Sequence, residues 1–194
     1  HQCCEDFALM RSIPGMVVMS PADDVEARAM VRAAYEYVGP VYMRFGRAGV
    51  PVFHDEASYT FQIGKGEGLR QGTDVAIIAN GLMVAEALAA AETLAGMGIS
   101  AQVINMATIK PLDEELVLQA AKTCGKVITC EEHSVIGGLG EAVCGLLSEK
   151  CPTPVRRIGV NDEFGHSGPA GALLKQFGLS AEHIVEVAKD FCGK

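Results

Sequence analysis

The residues best suited to chemistry in this 194-residue sequence fall in a few short clusters. Glu131-Glu132-His133 follows a β-branched run, Val127 to Thr129, and precedes Gly137, Gly138 and Gly140. Carboxylates and an imidazole are the usual agents of proton transfer. Three polar residues between a strand and a glycine turn also describe a solvated or interface-facing loop, and they are read that way here. Arg44 and Arg47 follow Val41-Tyr-Met43, an expected strand, and open α/β sheets collect ligands at the carboxyl ends of their strands. A guanidinium in that place suits a phosphate or carboxylate bidentately, although a surface or ion-paired arginine is the plainer reading. His1 could act as a proton donor or hydrogen-bond partner, but a terminal histidine says little by itself. Asp162, Glu163 and His166 form another polar group, read as a solvated loop.

Other patterns are informative for what they lack. Gly138-Leu-Gly140-Glu-Ala-Val143 has no third glycine for a dinucleotide fingerprint and follows a late strand. Its glycines are read as serving a tight turn and close helix packing. Gly64-Lys-Gly-Glu-Gly68 lacks the Walker spacing, and no G-x-S-x-G or H-E-x-x-H is present. His54, His166 and His183 are isolated along the chain, so no metal site is expected. The seven cysteines are odd in number and contain no C-x-x-C, which reads as reduced thiols in a cytoplasmic protein. Cys130 and Cys144 fall on apolar faces, where a thiol behaves as a small hydrophobe.

A formal charge of −8 argues against a nucleic-acid partner, yet one or two well-placed arginines can hold a small phosphorylated substrate. No signal peptide is expected. Nor is a membrane span, because the alanine-rich run around Val84 to Met97 carries Glu86 and Glu92.

The elements that must position these residues alternate in type. Phe7, Leu9, Met10 and Ile13 predict a short helix, and Met16 to Met19 a buried strand. A helix beginning at Ser20-Pro-Ala-Asp-Asp24 carries Val25, Ala29, Met30, Ala33 and Tyr37 at helical spacing. Two strands cannot form an independent sheet with both faces covered, so residues 1–48 read as the second half of an α/β domain. Residues 49–73 read as a connector, with Phe61-Gln-Ile63 as a short edge strand. Residues 74–194 read as a complete domain. Its strands are Val75–Ala79, Ala101–Asn105, Val127–Thr129 and Val155–Ile158. Helices Leu82–Met97, Asp113–Gly125, one carrying Leu139, Val143 and Leu146 or Leu147, Ala170–Phe177 and Ala181–Phe191 complete it, the last capped by Ser180. The expected fold is α/β, a doubly wound, mostly parallel sheet with helices on both faces.

Several motifs in order add a family resemblance. His1-Gln-Cys-Cys-Glu5, Leu9-Met-Arg-Ser-Ile-Pro-Gly-Met16 and Pro21-Ala-Asp23 with Glu26 resemble thiamine-diphosphate-dependent transketolases. So do Val41-Tyr-Met-Arg-Phe-Gly-Arg47, Glu131 to Gly140, and Ile158-Gly-Val-Asn-Asp-Glu-Phe-Gly-His-Ser-Gly168. The resemblance covers nearly the whole chain and is closest to the C-terminal subunit of transketolases divided over two chains. It implies transfer of a two-carbon ketol unit between ketose and aldose phosphates, using thiamine diphosphate and Mg²⁺.

It also implies that His1 hydrogen-bonds the substrate and its cofactor-bound intermediate, that Arg47 grips the sugar phosphate, and that Glu5 is structural. Arg44 receives no role. The glutamate that activates the cofactor lies upstream of His1 in the family, and the diphosphate–Mg²⁺ domain belongs to the other chain. No cofactor is therefore expected on this chain alone, which would be inactive without an N-terminal transketolase subunit in a homodimer or heterotetramer. Residues 1–48 match the pyrimidine-binding domain and 74–194 the C-terminal domain, a packing and dimerisation module. Phe45-Gly-Arg47 departs toward 1-deoxyxylulose-5-phosphate synthase, which stays open as an alternative. A ketoacid dehydrogenase β subunit and a non-catalytic interaction module stay open too, although Arg47 speaks against the former.

Overall fold

The computed structural model describes residues 3–193. From Val75 onward the strand residues alternate between two hydrophobic clusters, and that alternation builds the main body. Val75, Ile77 and Ala79 of β4 (Val75–Ala79) join one cluster, with α3 (Met83–Gly96) and α7 (Ala181–Cys192). Ala76 and Ile78 join the other, with α4 (Glu114–Cys124) and α5 (Leu139–Lys150). A strand buried on both faces needs such a continuous apolar run. The sheet order is β3-β5-β4-β7-β8, where β3 is Glu67–Arg70, β5 Ala101–Asn105, β7 Val127–Ser134 and β8 Val155–Val160. All neighbours are parallel except β3 against β5. The doubly wound α/β architecture is present as expected. Ser180 caps α7, its hydroxyl accepting from the His183 N–H.

A smaller sheet orders β2-β1-β6. Strands β1 (Val17–Met19) and β2 (Val41–Met43) pair in parallel, and β6 (Thr108–Lys110) runs antiparallel to β1. α2 (Asp24–Glu36) covers one face through Met30 and Ala34. α1 (Asp6–Ser12) lies on the other, where Phe7 packs in one cluster with Val18. The short α6 (Ala170–Gln176) follows an exposed loop that carries Asp162, Glu163 and His166.

Three expectations need correction. Phe61-Gln-Ile63 is not a strand: both apolar side chains turn under the α2 layer, and the edge strand is β3 instead. β6 was unforeseen, because Thr108-Ile-Lys110 is too short to show a period and is extended only by pairing with β1. The strand expected to stop at Thr129 continues to Ser134. Glu131, Glu132 and His133 therefore belong to β7 and not to a loop. Glu131 is 1% exposed and His133 fully buried.

Candidate functional site

In an open α/β sheet the ligand crevice lies beyond the carboxyl ends of the strands at which the winding reverses. Here those strands are β4 and β7, and the crevice is filled by the chain's own residues 4–22. The Cys4 carbonyl accepts from the Ser134 N–H at 2.6 Å. Phe7 stacks on His133 with ring centroids 5.0 Å apart. Ser20 lies against Gly81, where an added Cβ would sit 2.9 Å from its Oγ. Ala22 is fully buried in the cluster that contains β4 and α3.

Glu131 and His133 share one face of β7 because side chains alternate along a strand, and both are committed to structure. The Glu131 carboxylate accepts from the Leu139 N–H at 2.7 Å and the Gly140 N–H at 2.8 Å. It thereby occupies the amino end of α5, the place where a helix would otherwise offer free N–H groups to a phosphate. Burial pushes its carboxyl up to about 7 against these bonds. Gly138 is glycine because a Cβ there would stand 2.0 Å from Glu131 Oε2. Arg11 of α1 completes the turn, donating to the Gly137 and Gly138 carbonyls. On His133, Nε2 accepts from the Ala8 N–H at 3.3 Å, so the proton sits on Nδ1 and is donated to the Ser134 carbonyl at 2.7 Å. Burial lowers its pKa, which agrees with a neutral ring.

The two arginines after β2 have opposite fates. Arg44 donates to the Glu132 carbonyl at 2.5 Å, reaches the Glu132 carboxylate at 3.4 Å and pairs with Asp6 at 3.5 Å. Its guanidinium also lies 4.8 Å from the centroid of Phe7. Arg47, three residues on, is exposed and has no hydrogen bond or ion pair among the described residues. His1 lies outside the described residues.

One group was missed in the sequence. His54 is not isolated in space: Nε2 is 2.9 Å from Glu67 Oε2, and Nδ1 is 3.0 Å from Asp23 Oδ1, close enough for an ion pair though poorly angled for a hydrogen bond. Asp23 also caps α2 and accepts the Phe53 and His54 N–H groups. Beside it Glu26 accepts from Ala22 N–H, Tyr59 Oη and Asn105 Nδ2. Burial opposes charge on the imidazole, but the flanking carboxylates prevail and raise the His54 pKa. An open cleft of about 500 Å³ adjoins this hub. The sequence signal was faint, since partners 31 and 13 residues away form no motif.

Among the described residues no group of three or more His, Cys, Asp or Glu could hold a metal ion. No helix there is long and apolar enough to cross a membrane. With the α5 amino end filled by Glu131, that helix terminus is not free to receive a diphosphate.

A family model described as the transketolase C-terminal domain matches residues 64–184. The chain belongs to the transketolase family. The transketolase pyrimidine-binding domain matches residues 1–52. A 6-deoxy-6-sulfo-D-fructose transketolase subunit from Clostridium sp. (strain MSTE9) is 48% identical over 190 residues, covering 98% of this chain and 59% of that protein. This transketolase chain thus spans about three-fifths of that relative's length. A 1-deoxy-D-xylulose-5-phosphate synthase from Heliobacterium modesticaldum is 43% identical over 98% of this chain and 30% of its own. Among solved structures, a split gene transketolase in an inactive β4 tetramer superimposes with a TM-score of 0.92 at 48% identity. That match covers 98% of this chain and 61% of the other.

Proposed function

We propose that this chain is the C-terminal part of a transketolase that moves a two-carbon ketol unit between sugar phosphates in an assembly with a cofactor-binding chain. Residues 1–48 serve as pyrimidine-binding half-domain, 49–73 as connector and 74–194 as packing and dimerisation domain. The observation that carries the reading is Arg47: an exposed guanidinium just past the end of β2, unpaired among the described residues, beside an Arg44 that is already engaged. A free guanidinium at a strand's carboxyl end grips an anionic group through paired N–H donors. Arg47 holds the phosphate of the sugar, and His1 hydrogen-bonds the substrate. Thiamine diphosphate and Mg²⁺ belong to the partner chain, as the likeness to transketolases implies. The sulfosugar named for the Clostridium relative also ends in an anion, which supports recognition by charge.

The test is ketol transfer by the full chain combined with an N-terminal transketolase subunit, Mg²⁺ and thiamine diphosphate. Arg47→Ala is expected to raise KM for D-xylulose 5-phosphate far more than for D-xylulose, and equal effects on both would remove the phosphate role. The identity to a deoxyxylulose-phosphate synthase favours a second reading. Formation of 1-deoxy-D-xylulose 5-phosphate by the assembly, without ketol transfer, would decide for it.

A further inference from the structure

Arg44 received no role from its sequence, yet its side chain touches two separate pieces of the chain, α1 and β7. From just past the end of β2 it reaches back to Asp6 at the start of α1 and across 88 positions to Glu132 on β7. It also lies over the Phe7 ring, which in turn stacks on His133. Tyr42 reinforces the same point, its hydroxyl donating to Asp6 Oδ2 at 2.8 Å. The Arg44 side chain is 18% exposed and the Asp6 side chain 6% exposed, so water competes weakly for these contacts. A planar guanidinium is needed here. One edge must serve a backbone carbonyl and a carboxylate while the face rests on an aromatic ring, and an ammonium cannot do both.

We propose that Arg44 is a positioning residue that sets Arg47 and the segment behind His1 in register with each other. The two candidate site residues flank this junction: Arg47 is three residues beyond Arg44, and His1 is five before Asp6. Arg44 and Tyr42 are the side chains that tie Asp6 to the strand end preceding residues 45–47 among the described residues. Through Arg44, Glu132 ties this junction to β7, and this gives the C-terminal domain an indirect part in the site. The inference rests on the transketolase reading.

The test uses the full chain assembled with an N-terminal transketolase subunit, Mg²⁺ and thiamine diphosphate, with D-ribose 5-phosphate as acceptor. D-xylulose 5-phosphate and D-xylulose serve in turn as donor. Arg44→Lys keeps the charge and loses the fork. It is expected to lower kcat at least tenfold with either donor, because Asp6 and the start of α1 shift. It should also raise KM for the phosphorylated donor at least fivefold more than for D-xylulose, because Arg47 shifts. The thermal midpoint should stay within a few degrees of wild type. Arg156→Lys, on a surface pair with Asp190, should change neither parameter. If Arg44→Lys fails to fold, Tyr42→Phe removes one hydroxyl from Asp6 and should produce the same KM split at smaller amplitude. Parameters within twofold of wild type in a folded Arg44 or Tyr42 variant would overturn the positioning role and leave the transketolase reading intact. A wild-type assembly that transfers no ketol unit from D-xylulose 5-phosphate would overturn both.

Discussion

Two alanine substitutions in and beside one helix should shift stability in opposite directions. At Gly138, which caps α5, a Cβ would stand 2.0 Å from Glu131 Oε2 and 2.7 Å from both Glu131 Cδ and His133 Nδ1. The carboxylate must retreat by about 1 Å or more before the contact becomes tolerable, and its bonds to the Leu139 and Gly140 N–H groups are only 2.7 and 2.8 Å long. At least one of them breaks. A hydrogen bond to a charged group contributes about 1.5–3 kcal/mol, and its loss leaves a buried N–H unpaired. Gly138→Ala should therefore cost about 3–5 kcal/mol. At Gly145 of α5 an added Cβ meets nothing within 4 Å, and alanine should gain about 0.5–1 kcal/mol by restricting the unfolded chain. Urea unfolding monitored by circular dichroism reads both, and the slopes should match wild type. A Gly138→Ala cost under about 1 kcal/mol would refute the reasoning, because Glu131 would then not be fixed against that turn.

Other outcomes follow from the same side chains. His54 should titrate above 6.5 by NMR, because Asp23 and Glu67 favour its charged form. Its folded pKa exceeds its unfolded one, so its stabilisation is full below about pH 6.5 and fades as pH rises through the folded value. Asp23→Asn should bring the midpoint back down, and an unchanged midpoint would rule out the clasp. Glu131 has the same sign for a carboxylate: with a folded pKa of about 7 against 4.5, the unfolded chain releases its proton first. Stability should then fall as pH rises from about 4.5 to 7. Glu131→Gln should flatten that slope, and a retained slope would assign it to other groups. Among the cysteines, exposed Cys3 should react with a thiol reagent in the native protein. Cys130 is fully buried and Cys124 is pushed up to about 11 by burial, so both should label only on unfolding. Rapid native labelling of Cys130 would contradict the packing of β7.

Much of the fold was legible along the chain. The runs Val75–Ala79 and Ala101–Asn105 are too short and too apolar to be anything but buried strands, and the helices between them show their period. Their alternation fixes a parallel, doubly wound sheet, since each crossover must return to the same edge direction. Arg44 and Arg47 could be noticed together from their place after a strand, and the family from motifs in order. β3 and β6 could not be read. Edge strands of three or four residues have no period of their own and are defined by the strand beside them, β5 for one and β1 for the other.

What each polar residue does was decided only by tertiary contact. Glu131, Glu132 and His133 have the composition of a catalytic loop, yet they became a helix cap, an arginine anchor and a neutral packing ring. The crevice above them had been closed by residues far back in the chain. Arg44 and Arg47 are alike in type and three residues apart, and the sequence could not say which of them is free. The sequence determines local conformation because that depends on neighbours a few residues away. Whether a charge is committed or available depends on partners 88 or 125 positions distant, and only the folded chain brings those within bonding range.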